Sequence, residues 1–228
     1  MYRLPTIVIQ YENEIDSRAI TFFRGAIIAS LAKKDILFHN HEEDKLRYSY
    51  PLIQYKRIHG KAAVMGIGKG IEVLTPVLNA RESNCQIGNE EVEMRVEAVN
   101  ACDNEITLAD TTDSRYRLYG WLPLNAGNYR QYQESEGIVE RIQILERVLI
   151  GNILSFLKGV GIHLEKQIAL HITDIIRQHP YIYKDVRLMA FDIEFKTNIS
   201  LPQYIGLGKN ASVGCGVILK ITSSPKAE

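Results

Sequence analysis

The sequence predicts an α+β protein made of two ferredoxin-like (βαββαβ-type) domains in tandem, with a glycine-rich loop near its C-terminus. Its 228 residues are enough for two small domains, each with a core of its own. The first half reads in the order β-α-β-β-α-β, and the second as β-α-β-β followed by a terminal strand. We place the N-terminal domain at residues 1–110 and the C-terminal domain at residues 111–228.

In the first half, residues 4–11 are rich in branched side chains and predict a strand. A helix is predicted from about residue 15 to 34, with Asn13 as its N-terminal cap, because apolar residues recur there at helical spacing. The remaining predicted elements are a hairpin of 46–58 and 61–67 around His59-Gly60, a helix over 69–80 and a strand over 90–99.

In the second half, a strand is predicted over 115–122 and one long helix over about 128–158, which Gly159 and Gly161 terminate. Two further strands are predicted over about 167–177 and 186–197. The second of these alternates apolar and charged residues, which is typical of a half-buried strand. The chain then runs through LPQYIGLGKNASVGCGVILKI, a glycine-rich loop that leads into a last strand.

The composition excludes several classes of protein. No apolar stretch is long enough to span a membrane, and no secretory signal is visible at the N-terminus. The three cysteines are widely spaced, which argues against a disulfide framework or a paired-cysteine zinc site and indicates a cytoplasmic location. We therefore expect no cofactor and no membrane partner.

The net charge is zero, with 27 basic and 27 acidic residues, which argues against a nonspecific nucleic-acid binder. The charges are nevertheless separated along the chain. Residues 24–69 carry nine basic and four acidic residues, a net +5, whereas residues 71–110 carry two basic and nine acidic residues, a net −7. This separation is compatible with a local basic face that binds a polyanion, and equally with two solvated faces of opposite sign.

The glycine-rich loop has two open interpretations. Its glycines permit positive φ angles and let backbone N–H groups approach a phosphate, while Lys209 adds a charge. A tight turn before a strand would need the same glycines. The loop is not a P-loop, because a strand rather than a helix follows it. The residues concerned are Gly206, Gly208, Lys209, Asn210, Ser212 and Gly214.

Two of the six histidines stand in the string FHNH, as His39 and His41. On a helix, side chains two residues apart point about 200° apart and cannot share a site. On an extended segment they point the same way, within roughly 7 Å of each other. A metal site with the acidic run Glu42-Glu43-Asp44, an acid–base pair, and two solvated loop histidines all remain possible.

The string LPQYIGLGKNASVGCGVI resembles the glycine-rich loop of CRISPR-associated repeat-processing endoribonucleases, which consist of tandem ferredoxin-like domains. Three further stretches agree with this family: FRGAI at 23–27, YPLIQYKRIHGKAAVMGIGKG at 50–70 and KTNISLP at 196–202. His39 and His41 look like the histidine pair of the b-type branch of the family. In that branch the catalytic histidines directly follow the first helix.

The resemblance implies metal-independent cleavage of precursor CRISPR RNA within its repeats. The 2′-hydroxyl attacks the adjacent phosphate and leaves a 2′,3′-cyclic phosphate and a 5′-hydroxyl. His39 and His41 would transfer the protons, Lys45 or Lys209 would stabilise the phosphorane, and Tyr48 would orient a group. The expected RNA-binding residues are Arg24, Lys56, Arg57, Gly206, Gly208, Lys209, Asn210, Ser212 and Gly214.

The expected partners are the repeat RNA and other proteins of a CRISPR effector complex, with the chain as a monomer or homodimer. Two alternatives remain at the level of sequence. One is a non-catalytic RNA-binding subunit of the same superfamily. The other is a metal-binding or metabolite-binding α+β module that uses the two histidines and the acidic run.

Overall fold

The computed structural model describes residues 1–29, 50–80, 84–88, 90–183 and 185–222, and the backbone of 41–42, 45–46 and 82–83. The strands are β1 (Tyr2–Glu14), β2 (His41–Glu42), β3 (Lys45–Leu46), β4 (Ile53–Ile58), β5 (Lys61–Ile67), β6 (Glu82–Ile87), β7 (Glu90–Ile106), β8 (Ser114–Trp121), β9 (Leu170–Tyr183), β10 (Val186–Thr197) and β11 (Val217–Lys220). The α-helices are α1 (Ile20–Ala29), α2 (Gly70–Val73), α3 (Thr75–Asn79), α4 (Ala126–Glu134) and α5 (Ile138–Gly159). Short 3-10 helices cover Ser17–Ala19 and Ala211–Val213.

The strand orders confirm two ferredoxin-like units. The first sheet runs β4-β5-β1-β7-β6, so that β1 lies between β5 and β7 and is antiparallel to both. The second sheet runs β11-β8-β10-β9, with β8 in the corresponding position between β11 and β10. Each unit thus places its first strand in the middle of an antiparallel sheet, as the predicted element orders require.

Strand β1 is buried on both faces because its two sides belong to different cores. Ile7, Ile9 and Tyr11 pack with α1 in the core of the first unit. Leu4 and Val8, on the opposite face, belong to a core that is shared with the second unit. The alternation of side chains along the strand therefore joins the two units through one sheet.

Helix α1 is anchored to the first sheet by Phe23, which is fully buried. The Phe23 ring meets the Tyr11 and Tyr55 rings edge to face, with centroids 5.7 Å and 5.9 Å away. The predicted cap at Asn13 is wrong: the Asn13 amide donates to the Glu93 carbonyl oxygen instead. Asp16 caps the 3-10 helix Ser17–Ala19, which directly precedes α1, because the Asp16 side chain accepts a hydrogen bond from the Arg18 backbone N–H. Residues 30–34 of the predicted helix lie outside the described residues.

Two of the predicted helices are interrupted for identifiable reasons. The helix expected over 69–80 divides into α2 and α3, because Pro76 has no N–H to continue the ladder. The Thr75 hydroxyl donates to the Glu72 carbonyl oxygen at the junction, at 2.8 Å. The helix expected over 128–158 divides into α4 and α5 at residues 135–137, where Gly137 has an extended backbone and precedes α5.

The second unit departs from the ferredoxin-like pattern in one respect that matters for the site. Between β10 and β11 the described chain forms only the 3-10 helix Ala211–Val213, where the pattern has a second α-helix. The glycine-rich loop occupies this connection. None of the helices in the described ranges is long and apolar enough to cross a membrane.

Candidate nucleic-acid interface

The glycine-rich loop, residues 206–216, folds back on itself through backbone hydrogen bonds. The Leu207 N–H donates to the Gly216 carbonyl oxygen at 2.7 Å, and the N–H groups of Val213 and Cys215 both donate to the Asn210 carbonyl oxygen. Four of its residues have left-handed backbones, with φ angles of 83° for Gly208, 60° for Asn210, 86° for Gly214 and 62° for Gly216. The loop is a compact turn whose conformation depends on its glycines.

Close packing is a second reason why positions 208 and 214 require glycine. A Cβ atom on Gly208 would lie 2.9 Å from the Asn152 Oδ1 atom and 3.0 Å from the Trp121 Nε1 atom, which hydrogen-bond to each other at 2.9 Å. A Cβ atom on Gly214 would lie 2.8 Å from the Ile20 Cδ1 atom of helix α1. The loop therefore contacts α1 of the first unit as well as β8 and α5 of the second.

A buried set of hydrogen bonds attaches the loop to strand β4 of the first unit. The Gln54 Oε1 atom accepts from the Gly206 N–H at 2.8 Å. The Tyr50 hydroxyl donates to the Gly206 carbonyl oxygen at 2.8 Å and accepts from the Gln54 Nε2 atom at 2.8 Å. Burial raises the pKa of Tyr50 above its usual value, so its hydroxyl keeps the proton that it donates.

The polar side chains of the loop remain partly accessible. Lys209 is exposed, and Asn210 and Ser212 are half-buried. The Asn210 Nδ2 atom is buried without a hydrogen-bond partner among the described residues. Of the predicted loop residues, Gly206 is buried, whereas Gly208 and Gly214 are half-buried. Lys209, Asn210 and Ser212 are therefore the loop side chains best placed to meet a ligand.

Lys56, one of the expected RNA-binding residues, has no exposed surface in the structure, and its role in RNA binding stays a prediction. Strand β4 is covered on both faces: Ile53 and Tyr55 pack with α1, whereas Gln54 and Lys56 face the second unit, where Gln54 holds Gly206. The Lys56 Nζ atom has no hydrogen-bond partner within the described chain. Burial lowers the pKa of Lys56 to about 7, and the nearby Cys215 thiol opposes this effect only in part.

The two predicted arginines lie at the surface of the first unit in different ways. Arg57 is exposed, and its Nε atom donates to the Ile15 carbonyl oxygen at 2.8 Å. Arg24 is half-buried on α1, near enough to Tyr55 for its charge to oppose the rise in pKa that burial causes in that phenol. Because the Arg57 bond uses only one nitrogen, the exposed guanidinium keeps donors for a phosphate.

The histidine string falls largely outside the described residues, as do His39 and Tyr48. The backbone of His41 and Lys45 is described: β2 and β3 form a two-stranded antiparallel ladder in which His41 pairs with Leu46 and Glu42 with Lys45. The catalytic roles of His39, His41, Lys45 and Tyr48 stay predictions. Within the described part of the chain, no three His, Cys, Asp or Glu side chains are grouped so that they could hold a metal ion.

Sequence reasoning missed Gln54 and Tyr50, which position the loop. In the sequence, Gln54 and Lys56 alternate with Ile53 and Tyr55, and such alternation normally places the polar residues in solvent. Only the packing of the second unit over that face reveals the role of Gln54.

Comparison with known proteins agrees with this architecture. The model of the Cas6b N-terminal domain matches residues 2–105, and the model of the Cas6b C-terminal domain matches residues 109–221. A Cas6b crystal structure is similar with a TM-score of 0.84 and 29% identity, covering 96% of this chain and 100% of that one. A structure of the CRISPR RNA processing endoribonuclease Cas6b is similar with a TM-score of 0.73 and 28% identity, over the same shares of both chains.

Two other matches extend the comparison. An uncharacterised protein of Methanocaldococcus jannaschii is 27% identical over 154 residues, which cover 64% of this chain and 96% of that protein. The type IV crRNA endonuclease Csf5 has a TM-score of 0.57 at 13% identity, over 97% of this chain and 100% of that one, which shows a common fold.

Proposed function

Because the chain belongs to the Cas6b family, we propose that it is an endoribonuclease that cleaves precursor CRISPR RNA within its repeats. The observation that carries this proposal is the match of both Cas6b domain models, which together span residues 2–105 and 109–221. The similar structure of a CRISPR RNA processing endoribonuclease, over 96% of this chain, supports the same activity.

The proposed reaction is an intramolecular transesterification. The 2′-oxygen forms a bond to the adjacent phosphorus while the bond from phosphorus to the 5′-oxygen breaks. One of His39 and His41 takes the 2′-hydroxyl proton, and the other donates a proton to the leaving 5′-oxygen. Acid–base assistance of this kind contributes typically about 10²–10⁴-fold to the rate. Lys45 or Lys209 supplies positive charge to the phosphorane, and Tyr48 orients one of these groups.

The glycine-rich loop is the proposed contact for the RNA backbone. Lys209 is exposed, and Ser212 and Asn210 are half-buried beside it in a loop whose backbone is already closed. Arg57 and Arg24 extend the positive charge onto the first unit. None of residues 206–216 is acidic, so a phosphate chain that passes over the loop would meet Lys209 and polar side chains, which favours a polyanion.

The test is incubation of the protein with the repeat RNA of its host in the presence of EDTA, followed by analysis of the product ends. We expect cleavage at one position, a 2′,3′-cyclic phosphate on the upstream product, and complete resistance of RNA with a 2′-deoxy group at the cut site. Cleavage of the 2′-deoxy RNA would contradict the transesterification.

The catalytic residues are tested with the His39→Ala/His41→Ala double variant. The matched control is His163→Ala, since His163 is an exposed histidine outside the proposed site. We expect at least a roughly 10²-fold loss of cleavage rate in the double variant and none in the control. Full activity of the double variant would remove both histidines from the mechanism. Tight binding of the repeat by the wild-type protein without any product would favour a non-catalytic RNA-binding subunit.

A further inference from the structure

The hairpin of β9 and β10 extends well past the strand that supports it. The last pair between β8 and β10 joins Trp121 and Phe191, whereas β10 continues to pair with β9 as far as Val186 and Tyr183. The end of the hairpin is therefore a two-stranded overhang. Its inner side faces the N-terminal end of helix α4 across a cavity of about 540 Å³, and Lys209 of the glycine-rich loop also lines this cavity.

The walls of the cavity suit a flat, partly apolar group. Leu124, Leu188 and Met189 give it an apolar lining, and Tyr129 of α4, which is 44% exposed, forms part of the opposite wall. Cavities of about 300–1,000 Å³ that combine apolar walls with a few polar groups are typical of small-ligand sites. An unstacked nucleic-acid base needs an aromatic or apolar surface of this kind for its faces.

The charge of the lining favours an anion. Arg187 and Lys209 both line the cavity, and neither forms an ion pair with any residue that the structure describes. None of the lining residues is acidic. Two unpaired cations beside an apolar cleft match a group that carries a base and a phosphate together.

We propose that this cavity binds one unstacked nucleotide of the RNA, with the base between Tyr129 and the β9–β10 overhang and the phosphate at Arg187 and Lys209. The inference rests on the proposed function, because RNA is the source of the nucleotide. It adds a subsite, away from the histidine string in sequence, that selects an unpaired position in the substrate. With Lys209 at this subsite, Lys45 is the proposed cation that remains for the phosphorane.

The first test measures the affinity of the full-length protein for repeat RNA that carries a 2′-deoxy group at the mapped cut site. We expect Tyr129→Ala to weaken binding roughly 5- to 100-fold through lost stacking, and Tyr129→Phe to retain most of the affinity. Ala126→Trp should weaken binding as well, because Ala126 is an exposed lining residue at the start of α4 and a tryptophan there would fill the cavity. The controls are Arg130→Gln and Gln133→Trp, which change exposed residues of the same helix that do not line the cavity.

The second test locates the nucleotide. With 2-aminopurine at one position of the RNA at a time, we expect one unpaired position to become brighter on binding to the wild-type protein and to Tyr129→Phe, but not to Tyr129→Ala. If the wild-type protein cleaves the repeat while every variant binds as tightly as the wild type, the cavity inference is overturned and the proposed function stands. If the wild-type protein does not bind the repeat, both are overturned. Free mononucleotides that bind as tightly as the RNA would assign the cavity to a soluble nucleotide and also overturn the inference.

Discussion

The Gln54 side chain in the first unit accepts a hydrogen bond from the Gly206 backbone in the second, with 2.8 Å between Oε1 and N. Gly206 and Gln54 are both buried, and the Tyr50 hydroxyl satisfies the Gly206 carbonyl oxygen in the same set of bonds. Because this bond joins strand β4 to the glycine-rich loop, the position of the loop depends on how the two units pack.

We expect Gln54→Ala to lower the free energy of unfolding by about 1–3 kcal/mol, because it leaves the buried Gly206 N–H without a partner. It should also weaken repeat binding, since the loop loses its attachment to β4. The control is Gln133→Ala on the exposed side of α4, which should leave both quantities unchanged. Urea denaturation and RNA titration measure the two effects, and wild-type values for Gln54→Ala would show that the bond does not hold the loop.

Glycine at position 208 is a second requirement of the loop. Gly208→Ala would force alanine into a φ of 83° and place its Cβ atom against Trp121 and Asn152, so we expect a loss of roughly 2–4 kcal/mol of unfolding free energy. Gly151→Ala is the matched control. Gly151 lies within helix α5, and a Cβ atom added there would have nothing within 4 Å, so alanine should stabilise the protein by about 0.5–1 kcal/mol. Equal melting temperatures for the two variants would contradict this explanation.

The burial of Lys56 predicts a particular pH dependence. Its pKa falls from 10.5 to about 7 in the folded protein, so between these values the unfolded chain binds the extra proton and stability rises with pH. Below about pH 7 the buried Lys56 amine is charged, so the folded state carries the full free-energy cost of burying that charge. Lys56→Met should therefore stabilise the protein by roughly 2–4 kcal/mol at about pH 7, and the gain should shrink toward about pH 10.

Denaturation of Lys56→Met and the wild type at several pH values measures this difference, with the exposed Lys220→Met as control. The Cys215 thiol lies near the amine, and burial raises its pKa, so it stays protonated through most of this range. A gain that does not vary between about pH 7 and about pH 10 would show that Lys56 keeps an ordinary pKa.

Salt should weaken repeat binding strongly although the net charge of the chain is zero. Each phosphate contact contributes about 0.7 to the slope of log affinity against log salt for a single strand. We expect Lys209→Ala to reduce this slope by about that amount, because Lys209 is exposed on the glycine-rich loop, and Lys220→Ala to leave it unchanged. An unaltered slope for Lys209→Ala would remove this lysine from the phosphate contacts.

The parts of the fold that could be predicted are those that local chemistry decides. The alternation in β10 and the turn at His59-Gly60 placed β10 and the β4–β5 hairpin, because side-chain periodicity and left-handed turn residues act over a few neighbours. The first hairpin strand was predicted too long, since β4 begins at Ile53 and not at residue 46. The burial of Lys56 could not be predicted, because a polar residue at that spacing in a strand normally faces solvent. The second unit covers this face of β4. Strand β6, the hairpin partner of β7, was also missed, because ESNCQI has only two apolar residues, Cys85 and Ile87, which are too few to indicate a strand.

The candidate site also has parts that the sequence predicts and parts that only the structure reveals. The glycine-rich loop was recognised from its letters, and the structure explains its glycines by left-handed backbones and close contacts. The cavity beside the loop was not predicted, because Tyr129, Arg187 and Lys209 lie far apart in sequence and come together only in the folded second unit. The histidine pair remains a prediction from the sequence.

The connection between β10 and β11, where the second unit has a glycine-rich loop and no second helix, has a thermodynamic consequence. The backbone of this loop is already fixed by bonds to itself, to Gln54 and to Gly120, whose carbonyl oxygen accepts from the Gly216 N–H at 3.1 Å. A segment held in this way loses little conformational entropy when a ligand arrives, so more of the contact energy remains as affinity. The hydrogen bonds that hold the loop in place of a helix thus leave less of the ordering cost to be met when RNA binds.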